Sequence, residues 1–365
     1  IGEAMPPRER ARSQGYIAGI AACSNTLGPV AGGLIAGAFG WQWIFLINLP
    51  IGILALCLIF RLPNRQGSGD PFRFDAIGLL LFATFVSSIL ILLERLHRFD
   101  AGDAQVVIGL ALLAWLALVL LLRHESRTSV PLLPIALLRH PAIWRSGAIA
   151  ACFGATLVSL LTLLPIYFKV VRGLSLSETG LLMLPLTLGI ALGSMTTGRL
   201  VSRTGHTALI PSIGLPVVVA ALTLLALCAP ILGLAALAVL VGFTAMFMGT
   251  VMAVVQVTVQ AASGPKMLGA GAASVQFSRS IGAALGTAVT GAVLIARLLS
   301  SDGEAAALFA RLLQDAAGAA IETASATVLT SIEKAFEAAF FTIAGFAAIA
   351  MILIWTLPIR RLEET

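Results

Sequence analysis

Eight stretches of this sequence contain no Asp, Glu, Lys or Arg: 13–60, 76–93, 104–122, 146–168, 179–198, 204–265, 280–296 and 338–359. A bilayer's hydrocarbon core is about 30 Å thick and is crossed by roughly 20 apolar helical residues, whereas a charge inside it is costly. Each run is therefore about long enough to cross once, and 13–60 and 204–265 can cross twice. Composition follows suit: 59% of residues are apolar and 11% are charged, where soluble domains carry roughly 45–50% and 25%. A soluble enzyme is excluded, and the chain reads as an all-α polytopic membrane protein surrounded by lipid.

Splitting the runs at Gly, Pro and charge clusters predicts ten helices, at about 14–38, 42–61, 75–94, 104–122, 144–168, 177–198, 207–228, 231–258, 268–297 and 337–358. If the amino-terminal residues face the cytoplasm, fifteen Lys and Arg lie on the inner face and seven on the outer, with Arg279 left inside a helix. The positive-inside rule thus places both ends of this chain in the cytoplasm of a cell-membrane protein. The net charge of +6 reflects these loops and implies no nucleic-acid partner. Cys23, Cys57, Cys152 and Cys228 lie in apolar runs with no CxxC or Cys/His cluster, so no disulfide framework and no metal site is expected. Ser175-Leu-Ser-Glu178 has capping-box spacing and marks a helix start. Residues 299–336 read as an external stretch, and the four histidines (His97, His124, His140, His206) read as loop residues. No phosphate loop, catalytic acid pair or Ser/His/Asp arrangement falls in a span, so neither an enzyme nor a cofactor is expected.

The sequence also repeats itself. A shift of 254 lays Ser24-Asn-Thr-Leu-Gly-Pro-Val-Ala-Gly32 over Ser278-Arg-Ser-Ile-Gly-Ala-Ala-Leu-Gly286 and Gly15 over Gly269. Leu58-Ile-Phe-Arg-Leu-Pro63 similarly matches Leu353-Ile-Trp-Thr-Leu-Pro358. Membrane transporters are often built from such repeats, with a site between them near mid-membrane. The repeated pairs stand eight spans apart, where a six-helix repeat requires six, so two spans are extra. The resulting organisation is 1–66 as the last two helices of a first half, 67–139 as a two-span insert and linker, and 140–365 as a complete six-helix second half.

The first helix carries Gly15, Ser24, Gly28, Pro29, Gly32 and Gly33, followed by Trp41-Gln-Trp-Ile-Phe-Leu-Ile-Asn48-Leu-Pro-Ile-Gly52. This resembles the antiporter motif of the fourteen-span branch of drug/proton antiporters in the major facilitator superfamily, and Pro6-Pro-Arg-Glu-Arg-Ala11 resembles the loop before it. The resemblance implies that the chain corresponds to helices five to fourteen, with four amino-terminal helices as a missing partner. The Ile at residue 1 fits this expectation. Gly198-Arg-Leu-Val-Ser-Arg-Thr-Gly205 is similar to the superfamily's cytoplasmic loop motif, of which Gly198, Arg203 and Gly205 carry over. Ser24 replaces a motif glycine, Gln42 an arginine and Ser202 the loop's aspartate.

Gly28, Gly32 and Gly33 allow a neighbouring helix to approach closely, and Pro29 removes a backbone N–H and bends the helix. By resemblance this bend seals one route through a carrier. Arg279 lies about eleven residues, or roughly 16 Å, inside its helix. Its charge requires a water-filled cavity or a partner, and Asn25 and Gln276 are candidates to line the same cavity. Asp75, Glu94, Glu178 and Glu337 all read as helix-end acids, so the midplane carboxylate that proton coupling needs is absent from this sequence. By resemblance it belongs to the missing helices. The resulting expectation is a proton-coupled exporter of amphipathic, drug-like small molecules, exchanging them for protons by alternating access. Its rivals are a dedicated exporter of a single metabolite, for which an anion would suit the central arginine, and a truncated membrane protein or scaffold that transports nothing.

Overall fold

The computed structural model describes residues 42–61, 75–97, 104–128, 140–264, 267–301 and 326–358, together with isolated positions between 12 and 40 and between 305 and 309. The described residues are all-α, with no β-strand among them. Gln42–Leu46 (α1) and Asn48–Phe60 (α2) form one apolar span, interrupted at Ile47. The interruption has a local cause: Pro50 has no N–H to offer the Leu46 carbonyl one turn earlier. Ala76–His97 (α3) and Ala104–Glu125 (α4) pack together as a hairpin.

Six longer helices follow: Pro141–Val170 (α5), Leu176–Thr204 (α6), Leu209–Cys228 (α7), Leu234–Ser263 (α8), Leu268–Ser301 (α9) and Ala326–Trp355 (α10). Among the described residues eight helices are long and apolar enough to cross a membrane, with Ala76–Leu92 a shorter apolar one. At α5 and α6 three helix ends have a local cause in the sequence. His140 accepts the Ala142 N–H at 3.3 Å ahead of Pro141, which fits the first helical position because it has no N–H to leave unpaired. Ser175 and Glu178 form the expected capping box at α6. Gly205 ends α6 at φ +70°, a left-handed conformation that a side chain disfavours, with its N–H bonded to the Val201 carbonyl at 2.9 Å.

The bundle is organised by two tightly packed pairs, α5 with α9 and α6 with α8, which α7 and α10 complete. Lipid is as apolar as leucine, so helices associate in membranes through close van der Waals packing where small residues let backbones meet. A Cβ at Gly189, Gly193 or Gly249 would collide with the backbone of the facing helix in the α6–α8 pair. Gly154, Gly282 and Gly286 do the same for α5–α9. Aromatic rings fill the space between α5 and α10, where Tyr167 meets Phe336 and Phe340 edge-on with centroids 5.4 and 5.6 Å apart.

Several helices run past their expected ends; α6 continues to Thr204 rather than 198, so Gly198 and Arg203 of the expected loop motif lie in a helix. α10 begins at Ala326, about three turns before residue 337, because Val328, Ile332, Ala335, Phe336, Ala339 and Phe340 form a buried stripe at helical spacing. Glu333, Lys334 and Glu337 lie off that stripe and had masked it. Glu337 therefore sits eleven residues inside α10 rather than at its head, next to the charge-free run 338–359. α3 continues to His97 and α4 to Glu125, which places His97 and His124 in helices and not in loops.

Candidate functional site

Arg279 stands on α9, about 16 Å from the Leu268 end and about 33 Å from the Ser301 end at 1.5 Å per residue. α9 is longer than expected, so the arginine lies in the third of the helix nearer Leu268. The helix has three distinct faces at this level. One is the seam against α5: Gly282 and Gly286 lie bare against Ala151 and Ala155, and Gly154 of α5 lies bare against the Arg279 carbonyl. The second meets the insert hairpin, where Phe277 packs on Phe82 of α3 with centroids 4.7 Å apart. The third carries Gln276 and Ser280, one turn apart and both exposed.

Arg279 sits at the border between the seam and this polar stripe. It is half-buried, and its Nε is buried without a hydrogen-bond partner among the described residues. A guanidinium remains ionised at any physiological pH. The glycine seam fixes its backbone against α5, while its guanidinium, whose Nε meets no described acceptor, borders an exposed polar face. Such a group can receive an electronegative atom of a substrate or an acid supplied by another part of the protein.

Of the other residues picked out by sequence, Gly15, Asn25, Gly28, Pro29, Gly32 and Gly33 lie outside the described residues. Ser24 is helical and exposed. Gly198 is buried on α6, Arg203 is exposed near its end, and Gly205 makes the left-handed turn that ends the helix. The loop region touches the start of the chain through a different arginine: Arg199 lies 5.7 Å from the Tyr16 ring centre and donates to its hydroxyl at 3.5 Å. Arg12 approaches the same ring at 5.8 Å. Sequence reasoning passed over Gly154, Gly189, Gly193 and Gly249. The small-residue spacing Gly189-x3-Gly193 is visible in the sequence, but which helix it faces is not.

These features define a class: a multi-pass, all-helical membrane protein whose helices cross in glycine-packed pairs, with a cation held inside one of them. The family model described as Major Facilitator Superfamily matches residues 1–287, and the chain belongs to that superfamily of transporters. It is 32% identical over 303 residues to the multidrug transporter protein MdtP of Bacillus subtilis, covering 81% of this chain and 55% of that protein. It is 30% identical over 317 residues to the multidrug resistance protein Stp of Mycobacterium tuberculosis, covering 82% of this chain and 55% of that protein. The drug efflux pump JefA of the same organism is 31% identical over 204 residues, 54% of this chain and 39% of that protein. The chain thus spans about half the length of the curated relatives it matches.

Proposed function

We propose that this chain forms part of a proton-driven efflux carrier for amphipathic, drug-like compounds, working by alternating access in the cell membrane with both ends of the chain cytoplasmic. On this reading α5–α10 are the six-helix second half, α3 and α4 are the insert of the fourteen-span plan, and the first two spans belong to the other half. The remaining crossings of that plan, and the carboxylate that carries the proton, come from helices outside this sequence. The observation that carries the reading is Arg279, an ionised side chain with a buried, unpartnered Nε beside the exposed polar stripe Gln276 and Ser280. Such a stripe is costly against lipid and inexpensive against a water-filled cavity. Relatives named as multidrug transporters support the substrate class.

The test is drug-dependent proton exchange by the intact carrier in sealed vesicles. Arg279→Ala abolishes exchange and leaves membrane insertion unchanged; exchange at the wild-type rate overturns the assignment. A second reading, export of a single anionic metabolite, is favoured by one feature: no described acid pairs with Arg279. Competition between anionic and cationic dyes separates the two, since an anion exporter is inhibited only by the former.

A further inference from the structure

The α5–α9 seam fixes how deep Arg279 stands in the membrane. A Cβ at Gly147 would stand 3.0 Å from Ser278 Oγ, Gly282 lies bare against Ala151 and Gly286 against Ala155. Thr290 Oγ1 donates to Ser159 Oγ at 3.3 Å. Every one of these pairs differs by 131 in residue number, as 278 does from 147, so the two helices run parallel and in step. The charge-free runs 146–168 of α5 and 280–296 of α9 are centred on residues 157 and 288, which differ by the same 131. Apolar length and helix packing thus agree on one mid-membrane level. Arg279 lies nine residues from residue 288, about 13.5 Å at 1.5 Å per residue, close to the edge of a hydrocarbon core about 30 Å thick. In the orientation proposed above this is the cytoplasmic edge. Its counterpart on α5 is Ala148, three residues beyond Arg145, which donates to the Thr356 carbonyl of α10 and lies 5.5 Å from the Trp144 ring centre. Trp144 and Trp355 are exposed here, and exposed tryptophans gather where hydrocarbon meets headgroups.

Depth counted from Leu268 therefore overstates how far Arg279 enters the bilayer, because α9 begins outside the apolar core. Arg297 bounds the same run at the opposite edge and is exposed. Arg279 differs from it: it is half-buried, with a buried Nε that meets no described acceptor. A cation that only marked the membrane edge would be solvated as Arg297 is. From this level a polar stripe climbs α9. Gln276, Ser280 and Thr287 are spaced by four and seven residues and share one helix face; the first two are exposed and Thr287 is half-buried. Thr287 stands one residue from the mid-membrane level, its hydroxyl bonded to the Ala283 carbonyl at 2.8 Å. The stripe thus reaches from the cytoplasmic edge to the centre, with the arginine beside its foot.

We propose that Arg279 stands at the cytoplasmic mouth of the cavity, not at its centre, and there receives the carboxylate of an amphipathic solute, which Ser280 and Thr287 then lead toward mid-membrane. A planar guanidinium suits a carboxylate because it can offer two parallel N–H donors. The capture step rests on the transport reading; the depth does not. The test places single cysteines in an otherwise cysteine-free intact carrier and adds a membrane-impermeant thiosulfonate to one face at a time, in right-side-out and inverted vesicles. Arg279→Cys reacts from the cytoplasmic face and not from the outer one, and faster than Thr287→Cys. Ala148→Cys, at the same level on α5, gives the same order and serves if Arg279→Cys fails to insert. Reaction from the outer face, or faster reaction at residue 287 than at 279 and 148, overturns the depth. Capture is read at Ser280→Cys. Fluorescein, an amphipathic carboxylate, slows its labelling from the cytoplasmic face, and adding Arg279→Ala removes that protection while Arg279→Lys keeps part of it. No slowing, or slowing that survives Arg279→Ala, overturns capture. If labelling and protection follow this pattern in a carrier that exchanges no drug for protons, the proton-driven reading is refuted and the inner-face site stands.

Discussion

The α5–α9 seam makes Gly154→Ala a sharp test of how Arg279 is held. A Cβ at residue 154 would meet the Arg279 carbonyl oxygen, with the carbonyl carbon at 3.1 Å and the Ala283 nitrogen at 3.2 Å. These atoms are all backbone, so no side chain can rotate away, and carbon atoms pack comfortably only at about 3.5–4.0 Å. The two helices must separate by roughly 1 Å along this contact. Overpacking of this kind costs about 1–3 kcal/mol, and because 1.4 kcal/mol is tenfold, the folded-to-unfolded ratio drops by about five- to 150-fold. The assay is equilibrium unfolding of the purified protein in mixed detergent micelles, alongside vesicle transport at matched folded amounts. Gly193→Ala serves as a matched partner, since its Cβ collides with the Met246 backbone in the α6–α8 seam, away from the arginine. Gly345→Ala in α10 is the opposite control. No described atom lies within 4 Å of its Cβ, and losing a mid-helix glycine gains about 0.5–1 kcal/mol. The two seam variants lose stability alike, but Gly154→Ala loses transport by a larger factor because it displaces the Arg279 backbone. A Gly154→Ala protein as stable as the wild type, or a Gly345→Ala protein as damaged as the seam variants, would show that close backbone contact is not what pairs these helices.

Two further outcomes use the same unfolding measurement. Arg172 donates to the carbonyls of Ala229, Pro230 and Leu232 at 3.2, 2.9 and 2.9 Å, tying the end of α5 to the α7–α8 turn. Arg172→Ala costs about 1–3 kcal/mol, and Arg172→Lys restores only part of it because an ammonium lacks the planar fork; full rescue by lysine refutes the clamp. Gly205→Ala costs about 1–2 kcal/mol because its φ of +70° is left-handed, while Gly180→Ala, with no described atom within 4 Å of its Cβ, does not destabilise.

The spans were legible because a single physical fact, the cost of a charge in hydrocarbon, writes itself into the sequence as charge-free runs. Helix ends were legible where a side chain makes the cap, as at Ser175, but not at Gly205, where α6 runs six residues past the expected end at 198. They were illegible where the helix projects beyond the apolar run. α10 gains about three turns because one buried stripe from Val328 to Phe340 outweighs three charges on its other faces. Extending α4 to Glu125 had a chemical consequence, since it turned a loop histidine into the partner of an aspartate 49 residues away. Periodicity reveals which face of a helix is buried, never which helix covers it, so neither that pairing nor the approach of Gly154 to Arg279 could be read from spacing.

Arg279 itself was legible for the opposite reason: it breaks an apolar pattern at a place where breaking it is expensive. The sequence alone left two explanations, a strut satisfied within the bundle or a group turned toward a cavity. A strut would aim its donors at carbonyls of α5 across the seam. The seam instead meets α5 with glycines and alanines, and it brings the Arg279 main chain against Gly154 while Nε finds no described acceptor. The next exposed positions on α9 are Gln276 and Ser280, whereas Leu285 and Val289, also exposed, are apolar. A helix that presents hydrocarbon on one exposed face and amide and hydroxyl groups on another is adapted to two different surroundings. Lipid suits the first. The second, bordered by an arginine whose Nε has no described partner, is the face that the proposed carrier turns toward water and solute.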